Sequence, residues 1–111
     1  MTPNPRKSRF CHPFTGDTFY KSRNIPLAAL QIINLGQDEL EAMRLCDFED
    51  LDQKEAAGKM NISRGTVQRL LYAGRKKIID ILTNTKALRI VGGEHIVPPP
   101  RYFPRRRRRW R

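Results

Sequence analysis

The feature that most constrains the fold is the spacing of small, turn-forming and apolar residues in the middle of the chain. Counting Gln53 as the first position of a two-helix unit, Ala57 is the fifth and Asn61 the ninth. Val67 is then the fifteenth and Leu70 the eighteenth. Two short helices that cross steeply need a small residue where they are closest, and a residue that tolerates left-handed backbone at the turn. This pattern predicts a helix-turn-helix, a motif that reaches DNA through its second helix.

The charge of the chain is high and unevenly placed. Its 111 residues include 22 Lys and Arg against 11 Asp and Glu, for a net charge of +11. Residues 101–111 contain seven arginines and no acid, and residues 56–79 contain six basic residues and no acid. Eight acids lie between residues 38 and 55. Acidic residues on the supporting helices and basic residues on the presented helix favour binding of a polyanion to the basic side. The alternative is that the chain has two solvated faces of opposite charge and no polyanionic partner.

Length and composition indicate one small domain with tails. Cys11 and Cys46 do not make a disulfide framework, and Cys46 is expected to be a small core residue. No apolar run approaches the ~18 residues of a membrane span, and the N-terminus has no signal-peptide pattern. We therefore expect a cytoplasmic, nucleoid-associated protein with no membrane partner.

The segments that flank the helices predict little regular structure. Residues 1–24 are expected to form an arm or a short hairpin turning at residues 15–17. Residues 25–35 are apolar but too short to distinguish a helix from a strand. Residues 86–91 predict one short strand.

Local signals place the first two helices and their connector. Asp38 is expected to cap a helix that runs to about Cys46. In the connector that follows, Phe48 and Leu51 are expected to fill the core. The second helix is expected to run from a cap at Asp52 to residue 60, with a D-x-x-E capping box completed three residues after the cap.

The turn and the third helix follow directly. Asn61 and Ile62 turn the chain, with Ile62 pointing inward. Ser63 caps a helix that runs to about Leu82. Two glycines weaken this helix by ~1 kcal/mol each, so packing must compensate or they permit close approach to a partner. At about 100° per residue, the buried stripe consists of Val67, Leu70, Leu71, Gly74 and Ile78.

The fold class is therefore mainly α. We expect a three-helix helix-turn-helix core with a short strand, an N-terminal arm and a disordered basic C-terminal tail. The predicted boundaries are 1–24 for the arm, 25–97 for the DNA-binding domain and 98–111 for the Pro/Arg-rich tail, which begins with three prolines.

The opposite side of the third helix carries the candidate DNA contacts. Arg pairs with guanine O6/N7 and Gln with adenine N6/N7 in the major groove, so we expect base contacts from Arg64, Gln68 and Arg69. Backbone contacts are expected from Thr66, Tyr72, Arg75 and Lys76. Gly65 would let the start of the helix approach the duplex closely. The alternatives are that Lys76 is an ordinary solvated lysine and that Tyr72 packs on the arm or tail.

The tail predicts nonspecific, salt-sensitive contacts with phosphates. The alternative is a tail that only increases solubility. Its central run of five arginines supplies the candidate residues Arg105, Arg106, Arg107, Arg108 and Arg109.

No catalytic or cofactor site emerges from the sequence. His12 and His95 are isolated and lack the paired ligand spacing of a zinc site. No Ser–His–Asp set, phosphate-cradling glycine loop or paired carboxylates in a pocket are evident. We expect neither enzyme activity nor a cofactor or metal.

Several blocks carry a family resemblance: IPL at 25–27, DELEAMRLCDFEDLDQKEAAGKMNISRGTVQRLLYAGRKKIIDIL at 38–82 and KALRIVGG at 86–93. They resemble an uncharacterised family of small prokaryotic proteins, which are predicted to bind DNA through a helix-turn-helix similar to region four of sigma factors. The resemblance covers roughly residues 3–93. It implies a sigma-like three-helix core with residues 63–76 as recognition helix, and it brings no catalytic residues.

The chain departs from the family pattern at three positions. Family members usually have Gly where Asp50 and Asn61 stand, and both replacements tolerate the left-handed conformation. Pro is frequent where Gly65 stands, which implies a looser start of the recognition helix in this chain.

The leading hypothesis is a sequence-specific DNA-binding protein and transcriptional regulator, with double-stranded DNA as partner. Two alternatives remain: a module whose acidic face binds a protein such as RNA polymerase, and an RNA-binding protein led by the tail. A homodimer is compatible with the sequence, because one recognition helix reads few base pairs. The candidate acidic face consists of Glu39, Glu41, Glu49 and Asp50.

Overall fold

The computed structural model describes residues 8–14, 16, 18–93 and 95–100. The prediction of a mainly α fold with three helices is confirmed. The elements in chain order are β1 (Arg9–Phe10), β2 (Phe19–Tyr20), a 3₁₀ turn (Leu27–Ala29), β3 (Ile32–Gly36), α1 (Gln37–Met43) with a π-helical continuation (Arg44–Phe48), α2 (Gln53–Met60), α3 (Arg64–Asn84), β4 (Ala87–Val91) and β5 (Ile96–Val97). The predicted tail at residues 101–111 lies outside the described residues.

The N-cap of helix α1 lies two residues before the predicted cap. Gly36 is the N-cap residue, and its N–H donates to Glu39 Oε1 at 2.8 Å. The prediction of Asp38 as cap is therefore wrong, because Asp38 lies inside the first turn. Its side chain is buried and accepts a hydrogen bond from Arg9 instead.

Helix α2 and the turn after it form as their local signals predicted. Asp52 Oδ1 accepts from the N–H of Glu55, and Glu55 Oε1 accepts from the N–H of Asp52, which completes the capping box. Asn61 ends the helix in the left-handed conformation, with φ 59° and ψ 46°. Ile62 packs against the core as expected. Asp50 is also left-handed, with φ 63°.

Helix α3 is the longest element and packs against α1 and α2. Its cap is Ser63, whose Oγ accepts the N–H of Thr66 at 3.1 Å. The predicted buried stripe is confirmed, since Val67, Leu71 and Gly74 are buried and the other two members are half-buried. A Cβ on Gly74 would lie 2.9 Å from Met43 Cε and 3.3 Å from Glu39 Cβ. This glycine therefore allows α1 and α3 to approach closely.

The core lies between the helices. Its buried cluster includes Ala57, the small residue expected where the two helices come closest. Leu51 and Cys46 pack against this cluster, as the sequence predicted. The buried members are Cys11, Ala42, Leu45, Ala56, Ala57, Met60, Val67 and Leu71.

The strand predicted at residues 86–91 is present as β4, and the described residues contain four further strands. β4 pairs in parallel with β3 and antiparallel with β2. Residues 25–35 therefore form a 3₁₀ turn and most of a strand. Leu35 and Ala87 are fully buried, so this sheet extends the core beside α3.

The arm and hairpin predictions for residues 1–24 fail where that segment is described. β1 pairs in parallel with β5, with Arg9 N–H donating to His95 O and Cys11 N–H to Val97 O, both at 2.8 Å. Cys11 is 2% exposed and lies in the core. β1 and β2 bond to different strands, so they do not form a hairpin. Residues 15 and 17 of the expected turn lie outside the described residues.

Phe48 was expected in the core and is 78% exposed. It is the last residue of the π-helical continuation of α1. Leu51 follows the left-handed Asp50. Unlike Phe48, it points into the core, and its N–H donates to Leu45 O. The prediction for Phe48 is therefore wrong.

Candidate nucleic-acid interface

Helix α3 carries all eight predicted contact residues outside the tail, and the structure brings them to its outward side. Seven are exposed and Thr66 is half-buried. Gln68 and Arg69 are both exposed, while Val67, which directly precedes them, is fully buried. The outward residues are Arg64, Gly65, Gln68, Arg69, Tyr72, Arg75 and Lys76.

The first turn of α3 contains no acid, whereas α1 and α2 each carry acids in theirs. Arg69 extends back over this turn. Its Nη2 donates to Thr66 Oγ1 at 3.2 Å, and Thr66 Oγ1 lies 2.9 Å from Ser63 Oγ. The guanidinium therefore lies near the positive end of the helix dipole, which favours an anionic or electronegative partner.

Tyr72 and Lys76 form a second part of the outward side. Tyr72 is 69% exposed, and the ammonium of Lys76 lies 5.9 Å from its ring centroid. At this distance the contact is a weak cation–π interaction that leaves the lysine hydrated. Both side chains remain accessible to a bound molecule.

Arg75 is exposed but already has an anionic partner. Its Nη2 donates to Asp47 Oδ1 at 2.6 Å, and its Nε donates to Asp47 Oδ2 at 3.1 Å. The hydrogen bond and the charge of Asp47 raise the pKa of Arg75. A phosphate would have to displace this carboxylate, so the predicted backbone contact from Arg75 requires an exchange of partners. The sequence contains no local signal for the pair, because the residues are far apart in the chain.

The acidic face proposed for protein binding is not a surface in the structure. Glu39 and Glu41 are 9% and 6% exposed, and only Glu49 and Asp50 are exposed. Glu39 binds the Nζ of Lys77 at 2.9 Å. The prediction of a four-residue acidic face is wrong because two of its members are buried and paired, Glu39 with Lys77 of α3 and Glu41 with Arg44 three residues along the chain.

Glu41 lies in a partly buried polar cluster. Arg44 donates to both of its carboxylate oxygens at 2.9 Å, and the N–H of His12 donates to Oε2 at 3.4 Å. Burial alone would raise the pKa of Glu41, but the hydrogen bonds and charge of Arg44, with those of His12, hold it below the ordinary value of 4.5. The ionised carboxylate therefore stabilises the folded chain.

This cluster predicts a specific acid sensitivity. A carboxyl whose pKa is lower in the folded state contributes stability above its unfolded pKa, and loses it as the pH falls through the folded pKa. We expect the free energy of unfolding to decline below about pH 4.5 more steeply in the original chain than in Glu41→Gln. Urea unfolding followed by circular dichroism at several pH values measures both slopes. Parallel slopes would contradict the assignment.

A second ionic cluster was not anticipated from the sequence. Arg9 Nη1 donates to Asp38 Oδ2 at 2.9 Å, with side-chain exposures of 10% and 4%. His95 Nε2 lies 3.6 Å from the same oxygen. These residues tie β1, α1 and the start of β5 together.

Beside it, the thiol of Cys11 is buried and stays protonated at neutral pH. Burial, followed by the charges of Glu41 and Asp38, raises the pKa of Cys11 to about 12. Cys11 and Cys46 are both free thiols. Within the described residues, no three or more His, Cys, Asp or Glu side chains converge into a metal-binding group. Across the same part of the chain, none of the helices has the length and apolar character needed to cross a bilayer.

The fold and this surface define a class of small, mainly α proteins in which one long helix presents a basic, solvent-exposed side. The chain belongs to the family described as Protein of unknown function DUF134, whose profile matches residues 4–98. The predicted membership of an uncharacterised family is thereby confirmed. No solved structure matches the chain.

Relatives from several organisms share most of the chain. A UPF0251 protein of Methanosarcina acetivorans is 49% identical over 83 residues, which cover 75% of this chain and 49% of that protein. One from Pelotomaculum thermopropionicum is 45% identical over 91 residues, which cover 82% of this chain and 69% of that protein. One from Methanocella arvoryzae is 51% identical over 79 residues, which cover 71% of this chain and 48% of that protein. The chain thus spans about half the length of the first and third relatives.

Proposed function

We propose that this chain is a sequence-specific DNA-binding protein, most simply a transcriptional regulator, that inserts the N-terminal half of α3 into the major groove. In this proposal α2, the turn at Asn61 and α3 act as a helix-turn-helix similar to region four of sigma factors. Arg64, Gln68 and Arg69 read base edges. Tyr72, Arg75 and Lys76 approach the sugar–phosphate backbone, and Gly65 lets the start of α3 come close to the duplex.

The observation that carries the proposal is the exposure of Gln68 and Arg69 on a helix whose other side is fixed in the core. Val67 and Leu71 hold that side with 0% and 2% exposure. A side chain that reads bases must be free while its helix stays rigid, because specificity depends on the geometry of the hydrogen bonds. Both requirements are met on the same two turns of α3.

Charge supports the same surface. Neither Arg64 nor Arg69 forms an ion pair within the described residues, whereas Arg9, Arg44 and Arg75 each bind a carboxylate. Unneutralised guanidinium groups at the outward end of a helix favour a polyanionic partner. Two of the four residues of the competing acidic face are buried, so the protein-interaction hypothesis has less support.

Selection of bound fragments from a random pool of duplexes tests the proposal. Enrichment of a common sequence is expected, and a palindromic sequence would indicate that two copies bind together. Recovery of random sequences would contradict sequence-specific binding. Competition by RNA as strong as that by duplex DNA would instead favour an RNA-binding protein.

Replacement of Arg69 tests the contact itself. Arg69→Ala is expected to weaken binding to the selected duplex by about 1–3 kcal/mol, which is roughly 5- to 150-fold, because a bidentate contact with guanine is lost. Discrimination at one base pair should be lost with it. Fluorescence anisotropy with the selected duplex and its single-base variants measures both effects.

Arg89→Ala provides the matched control for this replacement. It removes the same charge from an exposed position on β4, where the Nε of Arg89 donates to Asn34 Oδ1 and, among the described residues, no carboxylate pairs with it. The control should keep the base preference unchanged. Equal losses on selected and random duplexes for Arg69→Ala would show that Arg69 does not read a base.

A further inference from the structure

Three polar side chains form a continuous chain along the start of α3. Ser63 Oγ accepts the N–H of Thr66 at 3.1 Å and lies 2.9 Å from Thr66 Oγ1. Thr66 Oγ1 in turn accepts from Arg69 Nη2 at 3.2 Å. Residues three apart are neighbours on a helix surface, so this spacing allows each group to reach the next. Thr66 is the link between the helix cap and the guanidinium.

The backbone under this chain is well fixed. Ser63 caps the helix, and Val67, four residues later, is fully buried. The hydroxyl of Thr66 therefore projects from a rigid point. Arg69 by contrast has a long flexible side chain, and within the described residues it forms no ion pair. The Thr66 hydroxyl is the hydrogen-bond partner that the structure records for its guanidinium.

The hydrogen bond leaves most of the guanidinium available. Arg has five N–H donors, and one of them is used on Thr66. Even a Cβ added to Gly65 would lie 3.8 Å from Nη1 of Arg69, an ordinary van der Waals distance, so the start of the helix does not crowd that group. A pair of parallel N–H donors remains for a bidentate acceptor such as O6 and N7 of guanine.

We propose that Thr66 is a positioning residue that orients Arg69 toward a guanine, and that it does not contact the DNA backbone. The inference rests on the proposed function, and it reassigns Thr66 from the phosphate contact that the sequence predicted. The inference identifies the base pair that Arg69 reads from the start of α3 as G·C, recognised in the major groove. Thr66 then determines how sharply that pair is distinguished from the others.

The test compares Thr66→Val, which is nearly isosteric but lacks the hydroxyl, with Thr66→Ser, which retains it. The probes are the duplex selected by the original chain, its single-base variants and a random duplex. Thr66→Val should lower discrimination roughly three- to tenfold, the effect of one hydrogen bond. This loss should occur only at the base pair where Arg69→Ala abolishes discrimination. Thr66→Ser should keep the discrimination of the original chain, because it retains the hydroxyl.

Affinity for the random duplex separates positioning from direct contact. It should be unchanged in Thr66→Val, as should the salt dependence of that affinity. Thr66→Ala, which also lacks the hydroxyl, should behave as Thr66→Val, and circular dichroism should show that both variants are folded. A uniform loss on all duplexes would show that Thr66 binds phosphate and would overturn the inference.

Failure of the inference is distinguishable from failure of the proposed function. If the original chain shows no base preference, both are overturned before any variant is compared. If the original chain has a preference that Thr66→Val retains in full, the proposed function stands and the positioning role of Thr66 is refuted.

Discussion

Asp38→Ala is expected to lower the free energy of unfolding by about 3–5 kcal/mol, because it leaves the guanidinium of Arg9 buried without its carboxylate. The two side chains are 4% and 10% exposed and are joined at 2.9 Å. Little water is therefore available to replace the lost partner. Urea unfolding followed by circular dichroism at neutral pH measures the change.

Asp47→Ala is the matched control. It also removes a carboxylate from an Arg–Asp pair, but the side chains of Arg75 and Asp47 are 52% and 45% exposed. Surface pairs of this kind contribute about 0–1 kcal/mol. Similar losses for the two variants would show that burial of the Arg9–Asp38 pair does not matter. The double variant Arg9→Met/Asp38→Leu should recover much of the stability, since apolar residues often replace buried ion pairs without loss.

Deletion of residues 101–111 is expected to cause the largest change in DNA affinity. The five arginines Arg105 to Arg109 are predicted to neutralise phosphates and release counterions. If each contacts one phosphate, the slope of log affinity against log salt should fall in magnitude by about 4.5. A fourfold rise in salt would then weaken the intact chain roughly 500-fold more than the truncated one.

The same deletion should leave the preferred sequence unchanged, since phosphate contacts carry no base information. Fluorescence anisotropy over a range of salt concentrations, on selected and random duplexes, measures the slopes. A truncated chain with the original slope would show that the tail does not bind the duplex. A changed base preference would show that the tail reads DNA, as Arg does in a narrow minor groove.

The parts of the fold that the sequence predicted correctly are those with local signals. The capping box at Asp52, the left-handed Asn61 and the cap at Ser63 each depend on residues within four positions. The buried side of α3 follows from the helical period, which also placed Gln68 and Arg69 outward. The helical period thus placed these residues on the exposed side of α3, as the structure has them, and their contact with DNA is a prediction.

The errors concern contacts between distant segments. Asp38 has the residue type of a helix cap, but Arg9 reaches it from 29 positions away. Glu39 has the charge of a surface residue, yet Lys77 binds it from 38 positions away. Glu41 has a local partner in Arg44, but the chain that packs around it, including His12 from 29 positions away, buries it. No short-range pattern distinguishes a paired buried carboxylate from a solvated one.

Strands were underestimated for a related reason. β1, β2 and β5 are two residues long, too short to show alternation. β3 pairs in parallel with a strand that lies beyond all three helices. Within the candidate site, the contact between Thr66 and Arg69 could have been anticipated from their spacing of three residues. The partner of Arg75 could not.

The position of Cys11 makes its thiol a natural probe for the separation of β1 from β5. Its thiol is buried in the core cluster directly after β1, which is held beside β5, and it stays protonated there. Any event that separates the two ends of the domain would uncover the sulfur and return it to ordinary reactivity. Modification of this single atom would therefore record the opening of that seam without an added label.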